Sequence, residues 1–311
     1  MTPGRRRLAL AAVLAALAIA PLVLSTYGSV TLARMLAFAL LAASLDLLVG
    51  VTGLASLGHG AYFGAGAYTA GWVALHVSRS AAATLAAAAA VSAVVALVAG
   101  SVAVRARGVF FLMLTLAIGE IVEQLAQSWH GVTGGSDGLY GIPAIQLGGA
   151  TLTDARWFTW FVLAVFVAGL AVIACLRRAP FGAALRGIRD NEPRMRALGY
   201  NTYLYKLAAF VIAGTLAGVA GGLFAAQQRL VTPGDLGMAS SVAALLAVII
   251  GGEGTLWGPC LGAAIVVELR DVLSSSLGGH GSLVLGVVFV AVVFLLPGGL
   301  ARLRIRTGDA R

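Results

Sequence analysis

Apolar runs of about 20 residues recur along almost the whole chain, and that length is what an α-helix needs to cross the hydrocarbon of a bilayer. Hydrocarbon offers no partner to a bare amide, so a chain built this way is confined to helices that satisfy their own backbone. About ten such runs can be placed, at roughly 8–26, 30–50, 56–77, 81–104, 108–128, 157–176, 205–228, 239–252, 257–275 and 282–299. The expected fold is therefore all-α and polytopic, a single transmembrane domain over residues 1–311. Composition agrees: 60% of residues are hydrophobic and only 11% charged, against roughly 25% charged in a water-soluble domain. Arg5-Arg6-Arg7 and the run ending Ala18-Ile19-Ala20 mimic a secretory signal. The run from Leu8 to Leu24 is nearly of spanning length and Pro21 sits just past the would-be cleavage site, which favours a retained first helix.

Positive charge fixes an expected orientation. The chain carries 21 Lys and Arg residues and a net charge of +9. Only Arg34, Arg79, Arg156, Arg229 and Arg270 fall outside four clusters: the N-terminus, Arg105–Arg107, the segment 177–206 and the C-terminal tail. An even number of spans starting inside puts all four clusters and both termini on the cytoplasmic face, as the positive-inside rule requires. The excess of positive charge is then topology and gives no reason to invoke nucleic acid. The polar loop 129–156, with Asp137, Asp154 and Arg156, falls outside.

Catalytic chemistry is missing from the sequence. The lone lysine, Lys206, lies in no GxxxxGK[ST] motif, so the chain has no P-loop of its own. HExxH, GxSxG and CxxC are absent, and His59, His76, His130 and His280 are too scattered to suggest a metal site. Cys175 and Cys260 sit in or beside apolar runs, as small hydrophobes do. No catalytic residue, metal or cofactor of the chain is expected.

Two glycine-rich stretches, Gly50–Gly71 and Gly251–Gly262, look like broken or tightly packed helices. GxxxG spacing, which lets helix backbones approach closely, recurs at Gly60/Gly64, Gly214/Gly218/Gly222 and Gly258/Gly262. Ser56-Leu57-Gly58 faintly echoes Thr255-Leu256-Trp257-Gly258, one in each half, which leaves an internal repeat open. Within the runs stand Asp46, Glu120, Glu123 and Glu268. A charge there costs at least ~2.5 kcal/mol, so each is a candidate for function, set against plain helix–helix hydrogen bonding or solvation at a helix end.

The segment 177–206 is the most organised polar stretch. It holds Arg177, Arg178, Arg186, Arg189, Arg194, Arg196 and Lys206 against Asp190 and Glu192. Phe181, Leu185 and Ile188 form an apolar stripe at helical spacing. Asn191 ahead of Glu192-Pro193 suits an N-cap with proline early in a second short helix, which Gly199 can close. Two short helices along the inner membrane face are expected. Anchoring to anionic lipid would need only basic and apolar side chains; the acidic, Asn and Pro element and the glycines point beyond it, to a docked partner.

PFGAALRGIRDNEPRMRALGYN, followed by KLAAFVIAGTLAGVAGGLFA, resembles the membrane subunit of branched-chain amino-acid ABC importers of the LivM type. So do LDLLVGVTGLASLGHGAYFGAGAYTA, RGVFFLMLTLAIGEIVEQL, TGGSDGLYGIP and GGEGTLWGPCLGA, in family order from about Leu45 to Leu300. The resemblance implies a multi-pass permease of a bacterial inner membrane. Its partners would be two cytoplasmic ABC ATPases that bind the ATP, a second homologous permease subunit, an external solute-binding protein and membrane lipid. Carried onto this chain, the ATPase-coupling positions are Pro180, Phe181, Gly182, Leu185, Arg186, Ile188, Arg189, Asp190, Asn191 and Glu192, with Leu198 and Gly199 behind them. Glu253, Pro193 and the arginine-free Pro297-Gly298-Gly299 depart from the family pattern. Alternating access would move a branched-chain or related amino acid, an amide or urea past the glycine-rich stretches. Ser56, Gly58, His59, Tyr62, Gly64, Gly252, Gly254 and Thr255 are the expected pathway positions, with Thr115 and Glu120 beside them. Two other classes stay open: an ion-coupled secondary transporter resting on Asp46, Glu120 and Glu268, and a passive channel for small neutral solutes.

Overall fold

A computed structural model of the chain describes residues 3–276, 286 and 299–300. Its long helices are α1 (Pro3–Val23), α2 (Thr26–Asp46), α3 (His59–His76), α4 (Ala81–Ala103), α5 (Val109–Ser128), α7 (Ala155–Arg178), α10 (Thr202–Gln228), α11 (Met238–Gly251) and α12 (Gly258–Ser276). Between them lie the shorter α6 (His130–Thr133), α8 (Pro180–Asp190) and α9 (Glu192–Ala197). Six segments among the described residues are long and apolar enough to cross a membrane: Thr26–Thr52, Ala81–Ala103, Val109–Ser128, Ala155–Arg178, Thr202–Gln228 and Pro233–Gly251. The tenth expected run, 282–299, lies outside the described residues apart from Gly286 and Gly299.

Helix starts follow local chemistry. The Asp154 carboxylate accepts from the Arg156 N–H at 2.8 Å and opens α7, and the Asn201 side chain accepts from Leu204 N–H at 3.3 Å to open α10. Helix α2 does not stop at Asp46 but widens into a π-helical turn, Leu47–Thr52, which ends at Gly53 with φ +75°.

Packing centres on α10, which lies against α3, α4 and α2, while α2 also packs on α7 and α12. Glycine sets the closest of these approaches. A Cβ on Gly66 would land on the backbone of Gly218, and one on Gly221 on the Phe63 carbonyl, so α3 and α10 touch main chain to main chain. Ser92 on α4 donates to the Tyr62 carbonyl at 3.0 Å. Tyr62, Phe210 and Phe111 then stack edge to face with centroids 5.5 and 6.1 Å apart. Helix α3 is enclosed along most of its length, and its richness in Gly and Ala lets its neighbours approach closely. In the most apolar stretch of the α2 span 89% of the residues are buried, against 22% in that of α5, so α2 lies inside the bundle beside α10 and α5 at its rim.

The polar loop 129–156 is more structured than the sequence suggests. Strand β1 (Leu139–Tyr140) pairs antiparallel with β4 (Leu230–Val231), and β2 (Gln146–Leu147) with β3 (Ala150–Thr151). The second pair closes through Gly148 and Gly149, both at positive φ, as a two-residue hairpin turn demands. The first pair ties the loop to the chain just after α10, at the end of the bundle opposite α8 and α9.

Candidate functional site

Helices α8 and α9 form the two short elements that the basic segment leads one to expect. Pro180 occupies the first turn of α8, where its missing N–H costs nothing. The Asn191 side chain accepts from the Arg194 N–H at 3.0 Å and starts α9. Gly199, at φ +87°, turns the chain out of α9. Gly182 lies so close to the Leu176 and Arg177 carbonyls that no Cβ fits, and Gly187 lies against Met195.

The apolar stripe of α8 faces the protein. Leu185 and Ile188 are buried, and Phe181 stacks on Tyr205 with centroids 5.6 Å apart. The helix thereby seats on α7, the π-helical turn and α10. Its arginines reach further in. Arg189 donates to the Gly50 carbonyl in the π-helical turn and lies 3.5 Å from the Glu253 carboxylate. Arg177, at the end of α7, donates to the Gly254 carbonyl and pairs with Asp46 at 3.4 Å. Asp46 in turn accepts the Gly254 N–H at 2.7 Å. The two glycine-rich breaks, one after α2 and one after α11, meet here, and a Cβ on Gly50 would strike both Asp46 and the Gly254 backbone. One clamp of Asp46, Arg177, Arg189 and Glu253 therefore joins the basic loop to both breaks.

A second hub fixes α9. Glu192 contacts Lys206 at 3.0 Å, Arg196 at 2.6 Å, Thr202 at 3.0 Å and Arg107 at 3.4 Å. Burial works to raise its carboxyl, but the hydrogen bond and charge of Lys206, with Thr202 and Arg107, outweigh it and hold the group below the ordinary carboxylate range. Arg186 caps the end of α7 by donating to the Arg177 carbonyl at 2.9 Å. Among the residues the loop leaves exposed are Arg178, Asp190, Asn191, Arg194 and Leu198, the last 65% exposed. Among the described residues neither Asp190 nor Arg194 has an ion-pair partner.

The expected pathway residues are not gathered on one surface. Ser56, His59, Tyr62 and Thr115 are buried inside the subunit. His59 is hydrogen-bonded to Ser44 at 2.9 Å, and Thr115 accepts the Leu57 N–H at 3.2 Å. Gly58 rests on the Thr115 carbonyl and Gly64 on Leu236. Thr255 donates to the Gly252 carbonyl at 2.8 Å and accepts the Gly258 N–H at 3.1 Å, shaping the turn into α12; Gly252 and Gly254 sit there at positive φ. Glu120 alone of the expected side chains is exposed, on the open face of α5.

The family model for the permease component of branched-chain amino acid transport systems matches residues 27–296. The chain belongs to that family. The LivM permease proteins of the high-affinity branched-chain amino acid transport systems of Salmonella typhimurium and Escherichia coli are each 30% identical to it, over 91% of this chain and 73% of theirs. A probable LivH branched-chain amino acid permease of Methanocaldococcus jannaschii is 30% identical over 45% of this chain and 46% of its own. No solved structure matches the chain. As a family member the chain is a membrane transport permease and not an enzyme, in keeping with a site of clamps and packing contacts.

Sequence reasoning singled out Arg189, Asp190, Asn191 and Glu192 but missed three partners. In the sequence Arg177 and Lys206 count only as positive charge, Lys206 also as a lysine outside any P-loop, and Glu253 only as a departure from the family pattern. The signal for Lys206 was its rarity: a single lysine, 4% exposed, beside a carboxylate.

Proposed function

We propose that the chain is a membrane subunit of an ABC importer that carries branched-chain or related amino acids inward by alternating access. Two ATPase subunits on the cytoplasmic side would bind ATP and take hold of the exposed face of α8 and α9. A second homologous permease would complete the pathway, and an external binding protein would deliver the solute, across a bacterial inner membrane. The observation that carries this reading is the clamp: α8 is seated by its apolar stripe and hooked by Arg189 to the Gly50 break, while Arg177 hooks the adjoining helix end to the Gly254 break. Force applied to Asp190, Arg194 and Leu198 would pass to both breaks as a rigid displacement. The ion-coupled alternative gains nothing from Asp46, whose two oxygens are held by Gly254 and Arg177.

The test is Asp190→Arg combined with Leu198→Asp in the complex reconstituted with its ATPases. Substrate-stimulated ATP hydrolysis is expected to fall at least ~10-fold, about 1.4 kcal/mol of coupling, with the thermal midpoint of the permease unchanged. Undiminished stimulation would refute the docking face.

A further inference from the structure

Helices α4 and α5 are both of spanning length, and residues 104–108 join them in a short elbow. Arg105 and Arg107 stand in that elbow. The 3.4 Å contact from Arg107 to Glu192 puts it beside α9. A connection this short cannot reach far from the two helix ends, so it stays at the membrane surface on the α8–α9 side of the bundle.

The two arginines are not simply solvated charge. Arg105 lies over the Tyr203 ring, 5.7 Å from its centroid. The Tyr203 hydroxyl donates to the Ser101 carbonyl at 3.0 Å, which holds the ring against the end of α4. A guanidinium stacked on a ring keeps its N–H edge free for a bidentate acceptor. Among the described residues Arg105 has no ion-pair partner. Arg107 shares Glu192 with Arg196 and Lys206, so one carboxylate faces three cations. With Arg105 the local charge is 4 − 1 = +3, and the Arg107 side chain is still 57% exposed.

The surface beside these charges is apolar. Val98 and Val102 on α4 and Phe110 and Met113 on α5 are exposed, Phe110 by 78%. Phe110 lies in the first turn of α5, so its ring enters the edge of the hydrocarbon while Arg107 stays at headgroup level. Topology alone accounts for positive charge in the elbow. It does not account for a guanidinium mounted on a fixed ring with an exposed phenylalanine beneath it. A protein docking from the aqueous side would have no use for Phe110 at the depth of acyl chains.

We propose that the α4–α5 elbow binds the headgroup of an anionic phospholipid. The phosphodiester sits between Arg105 and Arg107, and the acyl chains lie on Phe110, Met113 and Val102. The surplus of cations around Glu192 is what the lipid charge neutralises. The site is independent of what the chain transports.

The experiment is a titration of the purified full chain in neutral detergent with phosphatidylglycerol, read as bound lipid by native mass spectrometry. Phosphatidylcholine with the same acyl chains should bind at least ~10-fold more weakly. Arg105→Gln with Arg107→Gln should weaken phosphatidylglycerol about 25-fold, at about 5-fold per basic residue near the surface. Phe110→Ala keeps every charge and should weaken it at least ~3-fold. Arg79→Gln with Arg156→Gln removes two exposed charges at the opposite end of the bundle and should leave the affinity unchanged. Thermal midpoints close to wild type certify folding, since an exposed ion pair such as Arg107–Glu192 contributes little. Wild-type affinity in the folded elbow pair or in Phe110→Ala would overturn the proposal, as would an equal loss in the Arg79 and Arg156 control. Displacement by inorganic phosphate would assign the arginines to a free anion instead. Intact lipid binding with lost ATPase assembly in the elbow pair would assign them to a protein partner.

Discussion

Removing the Asp46 carboxylate should loosen the junction between the two glycine-rich breaks. Asp46 is 2% exposed, accepts the Gly254 N–H at 2.7 Å and pairs with Arg177 at 3.4 Å. Breaking a buried pair by deleting one partner costs about 3–5 kcal/mol. Arg177 keeps its bond to the Gly254 carbonyl and its side chain is 20% exposed, so it can recover some hydration. The lower end of the range, about 3 kcal/mol, is therefore expected for Asp46→Ala. Asp46→Asn keeps an oxygen for the Gly254 N–H and loses only the charge, for about 1–2 kcal/mol. In a chain of this size that corresponds to about 4–6 °C in thermal midpoint for the alanine variant and about half as much for the asparagine. The assay is thermal unfolding of the purified chain in nanodiscs, in a double-mutant cycle with Arg177→Ala. Because the two groups touch, the double variant should be at least ~1 kcal/mol more stable than the sum of the single losses implies. Substrate-stimulated ATPase in the full complex should fall in parallel. Wild-type stability in Asp46→Ala, or strict additivity with Arg177→Ala, would refute the clamp.

The Glu192 hub gives a pH dependence. Its folded carboxyl lies below the ordinary 4.5, so the stability it contributes is fully present above that value and is lost as pH falls from there through the lower folded value; the thermal midpoint of the wild type should drop on acidification below about pH 4.5, and Glu192→Gln should start lower and show a flatter acid limb. Gly199→Ala should cost about 1 kcal/mol by denaturation, from backbone strain alone, since φ is +87° and nothing lies within 4 Å of the added Cβ. Gly221→Leu should prevent α3 and α10 from closing and abolish a monodisperse product on size exclusion, because its side chain would enter the Phe63 carbonyl. A normally folded Gly221→Leu protein would contradict the main-chain contact between those helices.

What the sequence determined by itself is what short-range physics controls. Spanning-length apolar runs can only be helices in a bilayer, so the all-α class and most helix positions were legible. The Asn191 cap, the proline early in α9 and the exit at Gly199 were equally legible, because a cap bonds to an amide two or three residues away. What only the tertiary structure decided is which side chains meet across the bundle. Asp46 and Gly254 are separated by 208 residues and Arg34 and Asp271 by 237, and no local pattern connects them. The same holds for direction. Helical spacing put Phe181, Leu185 and Ile188 on one face, but whether that face met a partner or the permease body depended on where α7 and α10 lay. Ser56, His59, Tyr62 and Thr115 are polar enough to line a route, yet the close approach of α3, α5 and α10 encloses them, because glycine at each crossing removed the bulk that would have held the helices apart.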